Sequence, residues 1–329
     1  MSRVHLCGSL LPVALLGMLL TRQPLSGQVL HIAELTVPEI ENLNREEVVV
    51  LLPGGILEQH GPYLPSFSDG YMNQRLTSAV AEAIADAGGT ALVFPLIPLG
   101  VGGANEIGGK YSFPGTYAVR AETMRAVFMD LATELGEQGF RRILVIHIHG
   151  APTHNRILDE AGDYFSDTYG GRMVNLWGLM PVFGSLPEGA ELDDEARAEN
   201  GLDLHAGLIE TSILLHLRPE LVDDGYRDAQ PQTVADWDRL IPLAEAQDWP
   251  GYTGSPRLAR PEIGESAWGS FETTAVGIAL GILEDADFDQ YPRWADVAAT
   301  NPVSAEIMRS SLEHDERLKA RQRQWLENR

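Results

Sequence analysis

Apolar residues in this chain follow two rhythms. Glu47 to Leu52 (EVVVLL), Ala91 to Ile97 (ALVFPLI), Arg142 to His149 (RILVIHIH) and Met173 to Trp177 are short, nearly continuous apolar runs. The first ends at Pro53-Gly54-Gly55, a turn signal. Such runs predict parallel strands buried on both faces. Between and after them, Tyr71 to Ala87, Val119 to Glu137, Asn155 to Thr168, Leu208 to Leu217 and Thr273 to Ile282 carry helical spacing. Gly88-Gly89, Gly139 and Gly170-Gly171 stop the first three. Ser304 to Arg329 is highly charged and predicts a surface helix. Strands alternating with helices predict an α/β fold, a three-layer α/β/α domain around a mostly parallel sheet. In such sheets ligands sit at the carboxyl ends of the strands. Residues 181–203 and 218–268, richer in Pro, Gly, Asp and Trp, are expected as long loops carrying specificity rather than a second domain.

The first residues follow neither rhythm. Residues 1–27 lack acidic side chains, Arg3 is basic, and Leu10 to Leu20 is apolar but too short to span a bilayer comfortably. Small and polar residues follow. This is the layout of a secretory signal peptide over residues 1–27, leaving 28–329 as one exported domain, periplasmic or extracellular, with no stable membrane insertion after cleavage. An anchor that is never cut is the alternative.

Composition narrows the partners. The 329 residues include 47 acidic and 24 basic side chains, a formal charge of −23. A surface that acidic repels phosphate backbones and anionic lipid, which excludes a nucleic-acid function. One cysteine, Cys7, excludes a disulfide framework and Cys-based zinc fingers.

The candidate chemistry follows the strands. After the first comes Glu58-Gln59-His60-Gly61-Pro62, then Asp69 at the start of a helix. In extended chain Glu58 and His60 share a face, and all three types ligate metals. His147 and His149 end the third strand; His149, nearer its carboxyl end, is the better ligand and His147 a candidate support. His154, just beyond, is a substrate contact or a loop residue. His205 precedes a helix containing Glu210, and a histidine beside a metal site suits proton donation to a leaving nitrogen. Ser112-Phe113-Pro114-Gly115-Thr116 follows a glycine-rich stretch and is a weaker signal. Trp177, Trp237, Trp249 and Tyr252 are pocket candidates or core anchors.

Taken together, Glu58-Gln59-His60-Gly61-Pro62, Asp69, Phe113-Pro114-Gly115-Thr116, His149-Gly150 and His205-Ala206-Gly207 with Glu210-Thr211-Ser212 resemble the creatininase family over roughly residues 33 to 285. The resemblance implies metal-dependent hydrolysis of a small amide, lactam or formamide C–N bond and a homo-oligomer, often hexameric. It implies that Asp69 bridges two divalent metals, that Glu58 and His149 ligate one and His60 the other, and that His205 is the proton donor. Ser112, His154 and Trp177 are then expected at the substrate. Three positions depart from the family pattern. Ala151 stands where creatininase has a glutamate ligand, leaving the second metal absent, labile or held by another residue such as Glu210. Leu208 stands where many relatives have glutamate, and Ser112 where they often have histidine. One or two ions per chain are expected, Zn, Mn or Fe. The altered residues make creatinine a poor candidate substrate. The competing expectations are an exported ligand-binding protein with little or no catalysis and a relative that trims short peptides.

Overall fold

In the computed structural model, which describes residues 27–185 and 192–329, side chains of the central strands alternate between two hydrophobic cores. Five parallel strands form the sheet: β1 (Gln28–His31), β2 (Val49–Pro53), β3 (Thr90–Val93), β4 (Arg142–Ile146) and β5 (Arg172–Asn175), in the order β1-β3-β2-β4-β5. Val49 and Leu51 of β2 enter one core while Val48, Val50 and Leu52 enter the other. Leu144 and Ile146 of β4 divide from Ile143 and Val145 in the same way. Period-two alternation with both faces apolar requires helices on both sides of the sheet.

Five helices among the described residues supply them, and a sixth lies outside these layers. Helices α1 (Ser68–Asp86), α4 (Leu208–Leu217) and α5 (Pro261–Leu280) cover one face, with Leu76, Val80, Leu208, Ile213, Trp268 and Phe271 in its core. Helices α2 (Ala121–Glu137) and α3 (Pro152–Tyr169) cover the other, with Met124, Phe128, Leu158 and Phe165. Helix α6 (Pro302–Glu327) begins with Asn301, whose side chain accepts from the backbone N–H groups of Val303 and Ser304. The expected three-layer architecture is the observed one.

Details differ from the sequence reading. Strand β1 is an additional edge strand. Helix α5 starts at Pro261, well before Thr273, and β4 stops at Ile146, so His147 to His149 continue beyond the sheet. Helix α3 starts at Pro152, which places His154 in its first turn. The expected signal segment, apart from Gly27, and residues 186–191 of the first long loop lie outside the described residues. Among the described residues no helix is long and apolar enough to cross a membrane.

Candidate metal centre

The ligand-type side chains gather where the strands run out. Strands β2 and β4 pair in register, Leu51 beside Leu144 and Pro53 beside Ile146. The chain leaving β2 therefore runs to Glu58 and His60 beside the chain leaving β4 to His149. Asp69 enters from the first turn of α1. Asn73, one turn further along α1, donates to the Asp69 carbonyl at 2.9 Å and accepts from the Ile148 backbone N–H at 2.8 Å, tying the helix to the His149 segment. Glu58, His60, Asp69, His149 and His205 are all buried.

Hydrogen bonds fix which imidazole nitrogens are free. His60 Nδ1 lies 3.0 Å from the Glu58 carbonyl oxygen, and His149 Nε2 lies 3.1 Å from that of Val101. A carbonyl only accepts, so each of these nitrogens carries hydrogen. The remaining nitrogens face carboxylates. His60 Nε2 is 3.2 Å from Asp69 Oδ1; His149 Nδ1 is 3.1 Å from both Asp69 Oδ2 and Glu58 Oε2. A lone pair aimed at a carboxylate oxygen needs a positive particle between them, a proton or a metal ion. The donor set fits a divalent metal: neutral imidazole and carboxylate, buried and converging. Two sets lie within ligating reach, Glu58–Asp69–His149 and His60–Asp69–Glu210, and Asp69 belongs to both. A third grouping, Glu58–His60–His205, is less suited, because His205 Nε2 donates to the Gln59 carbonyl at 2.7 Å.

Protonation follows the same logic. Burial alone would lower His60, but the Asp69 carboxylate outweighs it and raises the imidazole to about 10. His149 is likewise raised well above the usual histidine value, against burial, by Glu58 and Asp69. Burial would raise Asp69, yet hydrogen bonds from His149 and His60 hold it well below the carboxylate range. In Glu58 burial is again outweighed, by His205 and His149, and the group is lowered. Without a metal, protons occupy these nitrogens, and the histidines and carboxylates form buried ion pairs.

The second set is looser. Glu210 Oε2 lies 3.9 Å from His60 Nε2 and 3.9 Å from His205 Nδ1, and the Glu210 side chain is 26% exposed, against 1% for Glu58. The Ala206 N–H donates to that oxygen at 2.5 Å. Ala206 holds φ at 49°, a left-handed conformation rare outside glycine, in the turn between His205 and α4. Thr253 Oγ1 accepts from the Leu204 and His205 N–H groups and fixes the approach to that turn.

The expected substrate residues are placed differently. Trp177 is buried against Phe183 and Phe271, and its indole N–H donates to the His149 carbonyl at 3.0 Å; it braces His149 from the core. His154 is fully buried behind His149, with ring centroids 4.9 Å apart, and accepts from the Val101 N–H. Ser112 is exposed on its loop. His147 is fully buried edge-on to Phe128, and burial together with His149 pushes it down to about 3, so it stays neutral. Supports that the sequence reading missed are Gln59, Asn73, Ala104, Asn105, Asn155 and Thr253. Ala104 N–H donates to Glu58 Oε1 at 2.5 Å, and Asn155 donates to the His149 carbonyl at 2.8 Å. Their contacts are long-range or use backbone atoms, which side-chain motifs do not reveal.

Known proteins resemble this chain in sequence and in fold. Residues 33–276 match the family model described as Creatininase: Creatinine amidohydrolase. The chain is 30% identical over 271 residues to a creatinine amidohydrolase of Pseudomonas putida, covering 77% of this chain and 96% of that protein. It is 28% identical over 181 residues to a mycofactocin precursor peptide peptidase of Mycobacterium ulcerans, covering 53% of this chain and 60% of the peptidase. A mutant creatininase solved in a Zn–Zn form superposes with a TM-score of 0.57 at 26% identity, over 78% of this chain and 98% of that one. On the family model and the P. putida relative together, this chain belongs to the creatininase family.

Proposed function

We propose that the protein is a metal-dependent amidohydrolase acting on a small amide, lactam or formamide. The observation that carries this reading is Asp69, whose two oxygens each face a different imidazole nitrogen, at 3.2 and 3.1 Å. One carboxylate serving two ligand sets is the arrangement of a bridged pair of divalent ions. Glu58, Asp69 and His149 would hold one ion, and His60, Asp69 and Glu210 the other. Glu210 thereby takes the place left by Ala151. The Zn–Zn form of the related creatininase makes zinc the first metal to test.

When bound, such ions supply an activated water and polarise an amide carbonyl. The chain's own groups do the rest. The Gln59 carbonyl holds hydrogen on His205 Nε2 and leaves Nδ1 turned toward Glu210. His205 Nδ1 is placed to carry a proton to a departing nitrogen, with Glu210 balancing its charge. Burial keeps bulk water from Glu58, His60, Asp69 and His149.

The test is metal content per chain in wild type and an Asp69→Ala variant, followed by turnover on lactam, formamide and short-peptide panels. About two ions in wild type, metal loss in the variant, and metal-dependent turnover are expected. A wild type that takes up no divalent metal, or that binds it and turns over none of the panel, would overturn the reading. The peptide arm separates amidase from peptidase chemistry, which the partial likeness to the mycofactocin peptidase makes worth including. The apolar segment near the N-terminus supports export, and family resemblance supports a homo-oligomer; fractionation and light scattering test these.

A further inference from the structure

The loop from Val101 to Tyr117 contributes heavily to the centre without supplying a ligand. Its Val101 carbonyl accepts from His149, its Ala104 N–H donates to Glu58, and Asn105 accepts from Thr116, which in turn accepts from the Gln59 N–H. Glycines 102, 103, 108, 109 and 115 leave this loop little stiffness of its own. It is gripped from two sides. On one, Ala104 packs with Ala244 and Trp249, and Lys110 Nζ donates to the Ala246 carbonyl at 2.6 Å. On the other lies α6, beyond the family-matched residues 33–276. The Tyr111 ring stacks on His314 with centroids 3.9 Å apart and planes 3° from parallel. The Tyr111 hydroxyl lies 2.5 Å from Ser310 Oγ, and Asp315 accepts from the Ala121 N–H at 2.7 Å, just past the loop's end.

We propose that α6 is a working part of the metal centre: through the Tyr111–His314 stack it clamps the 101–117 loop and so positions Glu58 and His149. Tyr111 and His314 are positioning residues, since neither belongs to the ligand sets. The inference rests on the metal-centre reading above. Partners that orient metal ligands typically change metal affinity 10–100-fold when removed.

The experiment uses the full chain, stripped of metal, with zinc affinity read by competition against a chromophoric chelator. Tyr111→Ala and His314→Ala are each expected to weaken the tighter zinc site about tenfold. The double variant should be no weaker than the worse single, because the two side chains act as one contact. Tyr111→Phe keeps the stack and should keep the affinity. Lys319→Ala, on the same helix but paired with Glu122 outside the loop, should leave zinc affinity unchanged. Denaturant midpoints separate loss of fold from loss of affinity, and His314→Ala carries the test if Tyr111→Ala does not fold. Glu58→Gln keeps the two hypotheses apart. If Glu58→Gln leaves zinc binding intact, the metal-centre reading falls. If Glu58→Gln weakens it while the Tyr111 and His314 variants bind as wild type, the clamp alone is overturned.

Discussion

The two halves of the centre are built differently. In the half formed by Glu58, Asp69 and His149, every group is buried, the facing atoms stand 3.1 Å apart, and the backbone of Val101 and Ala104 bonds the His149 and Glu58 side chains. In the half formed by His60 and Glu210, beside His205, the distances open to 3.9 Å, Glu210 is partly exposed, and the chain passes through the left-handed Ala206. In the proposed centre the closed half would be the preorganised one. The open half is wider and reaches solvent through Glu210, and its strain sits beside the group proposed to move a proton. A tight structural partner and a looser reactive one is the division of labour this contrast supports.

The predictions sharpen that contrast. The largest effect is expected from Asp69→Asn, which serves both halves: metal content should fall toward zero and turnover with it, read by elemental analysis and rate together. Next, Glu58→Gln should empty the closed half, whereas Glu210→Gln should remove about one ion per chain and leave the tighter zinc affinity within a few-fold of wild type. Equal losses of the tighter zinc affinity in the two variants would erase the distinction. His205→Ala should keep both ions and lose about 10²–10⁴-fold in turnover, the range for a general acid or base; a variant that loses metal instead would move His205 into the ligand set.

The pH prediction concerns the metal-free protein. The His60 pKa is raised in the fold to about 10, above its unfolded value of roughly 6.5. Its contribution to stability is therefore complete below pH 6.5 and is lost as pH rises through 10. Metal-stripped protein should lose denaturant resistance between pH 6.5 and 10, while metal-loaded protein, whose imidazoles no longer need those protons, should lose less. Urea midpoints of both forms at pH 6.5 and 9.5 check it. The smallest effect is Ala206→Gly. Relief of the left-handed strain should stabilise the fold by up to about 1 kcal/mol in thermal melts, with a small rate loss if the turn loosens.

Much of this was legible because it is local. The apolar runs that became β2 and β4 announce themselves in a few residues, and so do the ligand motifs at their ends. What escaped was decided by distant contacts. The first half of α5 read as loop because of its glycines and polar residues, yet Gly264 is there because any side chain would collide with the Ser212 carbonyl of α4, so the glycine permits close helix packing. Strand β1 borders the apolar N-terminal segment and borrows its identity from pairing with β3. Trp177 read equally as pocket or core, and its bond to the His149 carbonyl, formed across the fold, decides for the core.

Sharing Asp69 has a consequence for how the centre fills. In the proposed two-ion centre, a first ion would orient the carboxylate for a second, which favours filling in pairs. It would also place one positive charge close to another, which opposes the second. The two sites cannot then be described by separate dissociation constants. Loading is a coupled equilibrium whose cooperativity measures which of the two effects prevails, and any change that tilts the Asp69 plane is felt in both occupancies at once.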